Sequence, residues 1–169
     1  QLIAAAEKKG FQAFRVLAYS GFPGSRAHSR RFDGLKSIVD ARDDVTLVET
    51  IPEVRDPAKA SETFKRAYQQ HPDINVVWSY YDLMSLAAAK DLGDLGHKDA
   101  VVLGGIDWSP DAMEEVEEGI MEVDIGGHVF DAAQSVIMIF DYLNGHDFAE
   151  EKLLFDSNML AANSQNSHN

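Results

Sequence analysis

Apolar positions cluster in short blocks along this chain, and polar breaks separate them. Apolar runs recur at Phe14–Ser20 (FRVLAYS), Val45–Ile51 (VTLVETI), Asn75–Ser79 (NVVWS), Ala100–Ile106 and Ile120–Ile125. Most are rich in β-branched or aromatic residues and stop at Gly, Pro or Asp, the pattern of strands buried on both faces. Between them, apolar residues return at helical spacing. Gln1–Lys9 predicts a first helix. Ser25–Ala41 predicts a second, with Ala27, Leu35, Ile38 and Val39 on one side. Asp56-Pro57 opens a third as an N-cap followed by proline, with an inner face of Ala60, Phe64, Ala67 and Tyr68 and an end at His71-Pro72. Leu83–Leu92 is the fourth, with Asp82 as N-cap and Gly93 and Gly96 as breakers. Ser109-Pro110 starts a short acidic helix through Glu118, closed by Gly119. Val129–Leu143 predicts a strongly apolar helix stopped by Asn144-Gly145. Pro52 keeps the second strand from continuing.

Strands alternating with helices imply right-handed crossovers and helices on both faces of one sheet. The expected fold is α/β: a doubly wound, mostly parallel, flavodoxin-like layer. Residues 1–160 form this lobe, with Lys152–Asp156 as a last extended piece at an edge. Residues 161–169 (AANSQNSHN) are expected to be a polar, mobile tail. In open parallel sheets ligands sit beyond the carboxyl ends of the strands. Two runs end there in polar and aromatic residues, VVWSYYDLM at 76–84 and VVLGGIDW at 101–108.

Composition narrows the partners more than the fold. The 169 residues include no cysteine, so neither disulfides nor thiolate metal sites are available. No apolar run approaches the roughly 18–20 residues of a membrane span, so no direct membrane insertion is expected. The chain opens at Gln1 and reads as a processed chain or a fragment. The net charge of −13 is lopsided. Residues 1–98 carry 14 Lys and Arg against 13 acids; residues 99–169 carry Lys152 alone against 15 acids. This is a solvated acidic face or a surface that meets a basic partner. Nucleic acid is not an expected partner, because phosphate contacts need a concentrated basic patch.

Candidate chemistry gathers at the strand ends. Arg31, about two turns into the second helix, either pairs with an acid such as Asp33 or offers its planar fork of donors over the strand ends. Asp107, after Gly104-Gly105-Ile106, either caps the helix near Pro110 or accepts hydrogen bonds from a polyol. Tyr81 and Trp108 leave strands where a ring could stack on a ligand face, Tyr80 and Phe22 lie near the same rim, and Trp78 reads as core. Arg55 is a loop charge or a second donor. Catalytic signals are missing. Gly21-Phe-Pro-Gly-Ser-Arg is neither a dinucleotide fingerprint nor a P-loop, no GxSxG elbow occurs, and the six histidines have no metal-ligand spacing. The site reads as built to bind: no enzyme, no cofactor and no metal are expected.

Taken together, several motifs resemble a known family. They are Gly-x-Pro-Gly-Ser…Arg-Arg-Phe-Asp-Gly-Leu (21–35), His-Pro-Asp-Ile-Asn-Val-Val (71–77), Tyr-Asp-Leu-Met-Ser-Leu-Ala-Ala (81–88), Val-Leu-Gly-Gly-Ile-Asp (102–107), Glu-Glu-Gly-Ile (117–120) and Tyr-Leu-Asn-Gly (142–145). The chain is similar to the type I periplasmic binding proteins, the ribose- and galactose-binding receptors of ABC importers, and the likeness covers the second lobe only. The resemblance implies a sugar-like small-molecule ligand held between two lobes and a missing first lobe of the same protein. It also implies an ABC permease or a sensor kinase as partner, and a periplasmic or membrane-tethered extracellular location. By motif it makes Arg31 and Asp107 the binders of sugar hydroxyls. Tyr81 stands where asparagine is usual and Gly126 where glutamine is common, which points away from a simple pentose or hexose. A lactose-repressor-like regulator or a periplasmic sensor accessory shares the lobe; Glu117-Glu118-Gly119-Ile120 favours transport.

Overall fold

A computed structural model of the chain describes residues 1–52, 54–151 and 158–167. Six strands form one sheet: β1 Phe14–Gly21, β2 Val45–Pro52, β3 Val76–Ser79, β4 Val102–Ile106, β5 Val123–Gly126 and β6 Leu160–Ala162. Their spatial order is β2-β1-β3-β4-β5-β6, parallel throughout except for the antiparallel β5/β6 pair. This is the doubly wound, mostly parallel lobe expected from the alternation of runs. The order reverses between β1 and β3, and that reversal opens the crevice in which such sheets take their ligands. Pro52, on edge strand β2, pairs with Gly21 and needs no donor on its outer side.

Helices cover both faces. Those expected from the sequence are α1 Leu2–Lys8, α2 Arg26–Ala41, α3 Pro57–Gln70, α4 Asp82–Leu95, α5 Pro110–Glu117 and α6 Val129–Leu143. α1 and α2 pack against Phe14, Val16, Val45, Val76 and Val102 on one side. α3, α4 and α5 enclose the larger core of Leu17, Tyr19, Phe64, Val77, Leu103 and Met121 on the other. Local chemistry explains the starts. Asp56 accepts from Lys59 N at 3.0 Å ahead of Pro57, and Ser109 Oγ accepts from Ala112 N at 3.4 Å ahead of Pro110.

Several boundaries differ from expectation. α4 starts at Asp82 with Tyr81 in the cap position, so Asp82 is not the N-cap; its side chain turns inward and accepts from Ser109 N at 2.9 Å. α4 runs through Gly93 and ends at Gly96, whose φ of 73° suits a left-handed stop. β5 begins at Val123 rather than Ile120. Ala161 and Ala162, expected in the tail, belong to β6, and Ala162 is buried. The extended piece expected at 152–156 lies outside the described residues. Trp78 is half-buried rather than core, its ring 6.2 Å from that of Phe32. α6 forms where expected but buries no residue: Phe130, Ile137, Phe140 and Leu143 are all exposed.

Candidate functional site

The carboxyl ends of β1, β3, β4 and β5 bring most of the singled-out residues to one rim. Arg31 meets both of its alternatives there: it pairs with an acid, Asp107 rather than Asp33, and its guanidinium lies over the strand ends. Asp33 pairs with Lys36 at 2.7 Å, while the Arg31 guanidinium reaches over the strand ends. Its Nη1 donates to Tyr80 O at 2.6 Å and to Asp107 Oδ1 at 3.4 Å. Asp107 is not a helix cap, since Ser109 fills that role. Its carboxylate also meets His128 Nε2 at 3.2 Å, so two nitrogen groups converge on one half-exposed oxygen. Burial pushes the Asp107 carboxyl above the usual carboxylate range, and the Arg31 charge works against that rise.

The backbone that presents Asp107 is strained. Asp107 has φ 144° and Trp108 φ 61°, left-handed values that side chains avoid. Such outliers cost on the order of 1–3 kcal/mol each and concentrate at functional sites. Four hydrogen bonds hold the turn. Asp107 N donates to Ile125 O at 2.9 Å, Trp108 N to Asp124 Oδ2 at 3.2 Å, the Trp108 indole to Asp124 O at 3.2 Å, and Ser109 N to Asp82 Oδ2 at 2.9 Å. The indole lies along the end of β5, where a Cβ on Gly126 would overlap it. The glycine in the position where the resemblance expects glutamine is therefore a packing requirement of Trp108.

A second group lies on the β1 and β2 side. Phe22, 44% exposed, carries the Arg55 guanidinium over its ring at 5.3 Å. Tyr81 is half-buried, with its hydroxyl 3.5 Å from Val54 O and its ring 4.7 Å from that of Tyr80. Tyr80 is 3% exposed and sits beneath Gly21, so its side chain is core and not rim. His28 links the groups: its Nδ1 accepts from Phe22 N at 2.9 Å and its ring lies 4.5 Å from that of Tyr80. His28, His128 and Asp124 escaped the sequence reading. Only His128 carried a usable signal, its place just past the end of β5.

An apolar groove of about 570 Å³ runs along the α1/α2 face and reaches the rim at Arg31 and Ile106; Leu2, Leu35, Trp78 and Ile125 are among the residues that line it. Among the described residues, no cluster of three or more His, Asp or Glu could hold a metal ion, and no helix is long and apolar enough to cross a membrane.

A family model described as "periplasmic binding protein domain" matches residues 1–147. The chain belongs to that family. The ribose import binding protein of Salmonella typhimurium is 28% identical over 112 residues, which are 66% of this chain and 37% of that protein. The chain thus spans about a third of the length of the curated relatives it matches. An ABC transporter periplasmic solute binding protein from Actinobacillus succinogenes, solved with bound D-allose, superposes with a TM-score of 0.84 at 19% identity. That match covers 98% of this chain and 57% of that one. The fructose binding periplasmic domain of a hybrid two-component system superposes with a TM-score of 0.77 at 19% identity, over 98% of this chain and 54% of that one. This chain thus has the fold of one lobe of these sugar-binding proteins.

Proposed function

We propose that this chain supplies the second lobe of a periplasmic solute-binding protein serving an ABC importer, with a sugar or similar small polyol as its solute. The observation that carries the reading is the meeting of Arg31 and Asp107 at 3.4 Å on the rim beside the β1/β3 reversal. A guanidinium donates to hydroxyl oxygens and a carboxylate accepts from hydroxyl protons, so the pair can grip a diol directionally. Trp108, Tyr81 and Phe22 offer ring faces beside it, and Arg55 offers further donors. Nothing in this arrangement needs to break a bond, so the solute leaves unchanged. Closure of two lobes over it is a population shift driven by contacts made only in the closed form.

The absent first lobe is the proposed cover of α6. Exposed Phe130, Ile137 and Phe140 form an apolar surface that a lone lobe leaves in water. The decisive test is calorimetry of the full-length protein against D-ribose, D-allose and D-fructose. Asp107→Ala is expected to weaken binding at least tenfold, about 1.4 kcal/mol. Unchanged affinity would remove Asp107 from the site. A second reading, a sensor domain that signals solute to a kinase, is favoured by the likeness to the hybrid two-component domain. A lactose-repressor-like regulator is the remaining alternative for the same lobe. Permease and ATPase genes beside this one would favour import; a kinase or a DNA-binding headpiece would favour signalling.

A further inference from the structure

Two acids beneath the rim have no part in the diol grip described above. Asp82, in the first turn of α4, and Asp124, on β5, are almost fully buried. They approach one another over Gly105 of β4. Gly105 is the register partner of Asp124, and a Cβ on it would stand 2.5 Å from Asp82 Oδ1. Each carboxyl spends one oxygen on a backbone amide of the strained turn: Asp124 Oδ2 accepts from Trp108 N, and Asp82 Oδ2 accepts from Ser109 N. The two remaining oxygens, Asp82 Oδ1 and Asp124 Oδ1, are buried without another partner. Asp82, by its charge and by a hydrogen bond between the side chains, raises the proton affinity of Asp124. Two carboxylates are both acceptors, so they can bond only across a proton.

We infer that Asp82 and Asp124 are positioning residues: a proton-sharing carboxyl pair whose outer oxygens clamp consecutive amides and so aim Asp107 and Trp108 at the solute. The inference rests on the solute-binding reading for its consequence but not for its geometry. The negative charge sits best on Asp82, where the α4 N-terminus favours an anion, and the proton on Asp124. Burial, with the Asp82 charge beside it, pushes the Asp124 carboxyl up to about 8. Among the described residues, a further charged group that acts on the pair is Asp107, itself held by Arg31 of α2 and by His128. The neighbours Gly105 of β4, Ser109 at the cap of α5 and Ala162 of β6, the residue opposite Asp124, are uncharged. Loss of the proton leaves two adjacent buried anions, which repel each other and also Asp107. The clamp then opens, and the grip on solute weakens.

The test uses the full-length protein. Carbon-13 NMR of the aspartate carboxyls is expected to show one group titrating near pH 8, with the Trp108 and Ser109 amides shifting in step. Affinity for whichever of D-ribose, D-allose or D-fructose binds is expected to fall about fivefold or more through that titration. Asp124→Ala should lower affinity at every pH. Asp124→Asn, whose amide can donate to Asp82 and still accept from Trp108 N, should restore affinity and remove the alkaline fall. Ordinary acidic titration of every aspartate, or an alkaline fall that persists in Asp124→Asn, would overturn the inference. A carboxyl titrating near pH 8 in step with the two amides, but with no sugar bound at any pH, would sustain the clamp and overturn the solute-binding reading instead.

Discussion

Trp108 and Gly126 show how one residue decides what its neighbour can be. The indole occupies the space that any side chain at 126 would need, and its own backbone sits at a positive φ of 61°. Gly126→Ala is therefore expected to displace the ring and cost about 1–3 kcal/mol, the range for overpacking a filled site. Thermal unfolding reads the loss, and Trp108 emission reads the displacement against a Trp78→Phe background. An unchanged unfolding midpoint and spectrum would mean that the indole has room elsewhere. Arg31 and Asp107 stand out in the sequence because strand ends gather ligands and their chemistry suits hydroxyls, and the structure brings the two together. The turn that aims Asp107 was not legible. It depends on Asp82 and Asp124, which are 42 positions apart and meet only once β4 and β5 pair. Tyr80 was misplaced for a related reason: a tyrosine at a strand exit can face the rim or the core, and here its ring packs into the space that the missing side chain of Gly21 leaves, 59 positions away in the chain.

At the level of elements, the sequence pattern located every strand of the parallel layer, since each is a short apolar run bounded by turn residues. Element ends were harder. Asp82 looks like a cap by type, yet the long-range bond to Ser109 N claims its carboxylate. α6 was legible as a helix but not as an exposed one, because an apolar helix usually means a buried one. With Val136, Ile137, Phe140 and Leu143 in water, the 169-residue chain alone is expected to self-associate. Ile137→Lys with Phe140→Lys should make that chain more monodisperse in sedimentation. In the full-length protein the same pair of changes should lower the unfolding midpoint, because a covering lobe would then bury two charges. Stability that is unaffected there would mean that α6 is also exposed in the intact molecule.

Across the whole molecule, pH acts on stability through the groups whose proton affinity differs between folded and unfolded chains. Exposed Asp44 and Asp94 are lowered by Arg42 and Lys90, so their support is present above the ordinary carboxylate range and lost only as pH falls through their folded values. As surface pairs they contribute little. Asp124 acts in the opposite sense. Its folded value of about 8 lies far above that of an unfolded aspartate, about 3.9, so between those limits the folded state holds a proton that the unfolded state has lost. Stability then falls as pH rises through that window, by as much as about 1.4 kcal/mol per pH unit for a full proton. The excess of acids in residues 99–169 adds self-repulsion in the same direction, but salt screens it. Urea unfolding at about pH 5 and about pH 8 in high salt therefore isolates the buried term. The native protein is expected to lose stability between the two, and Asp124→Asn to lose much less. Equal slopes for the two proteins would show that surface charge, and not the buried carboxyl, sets the acid preference.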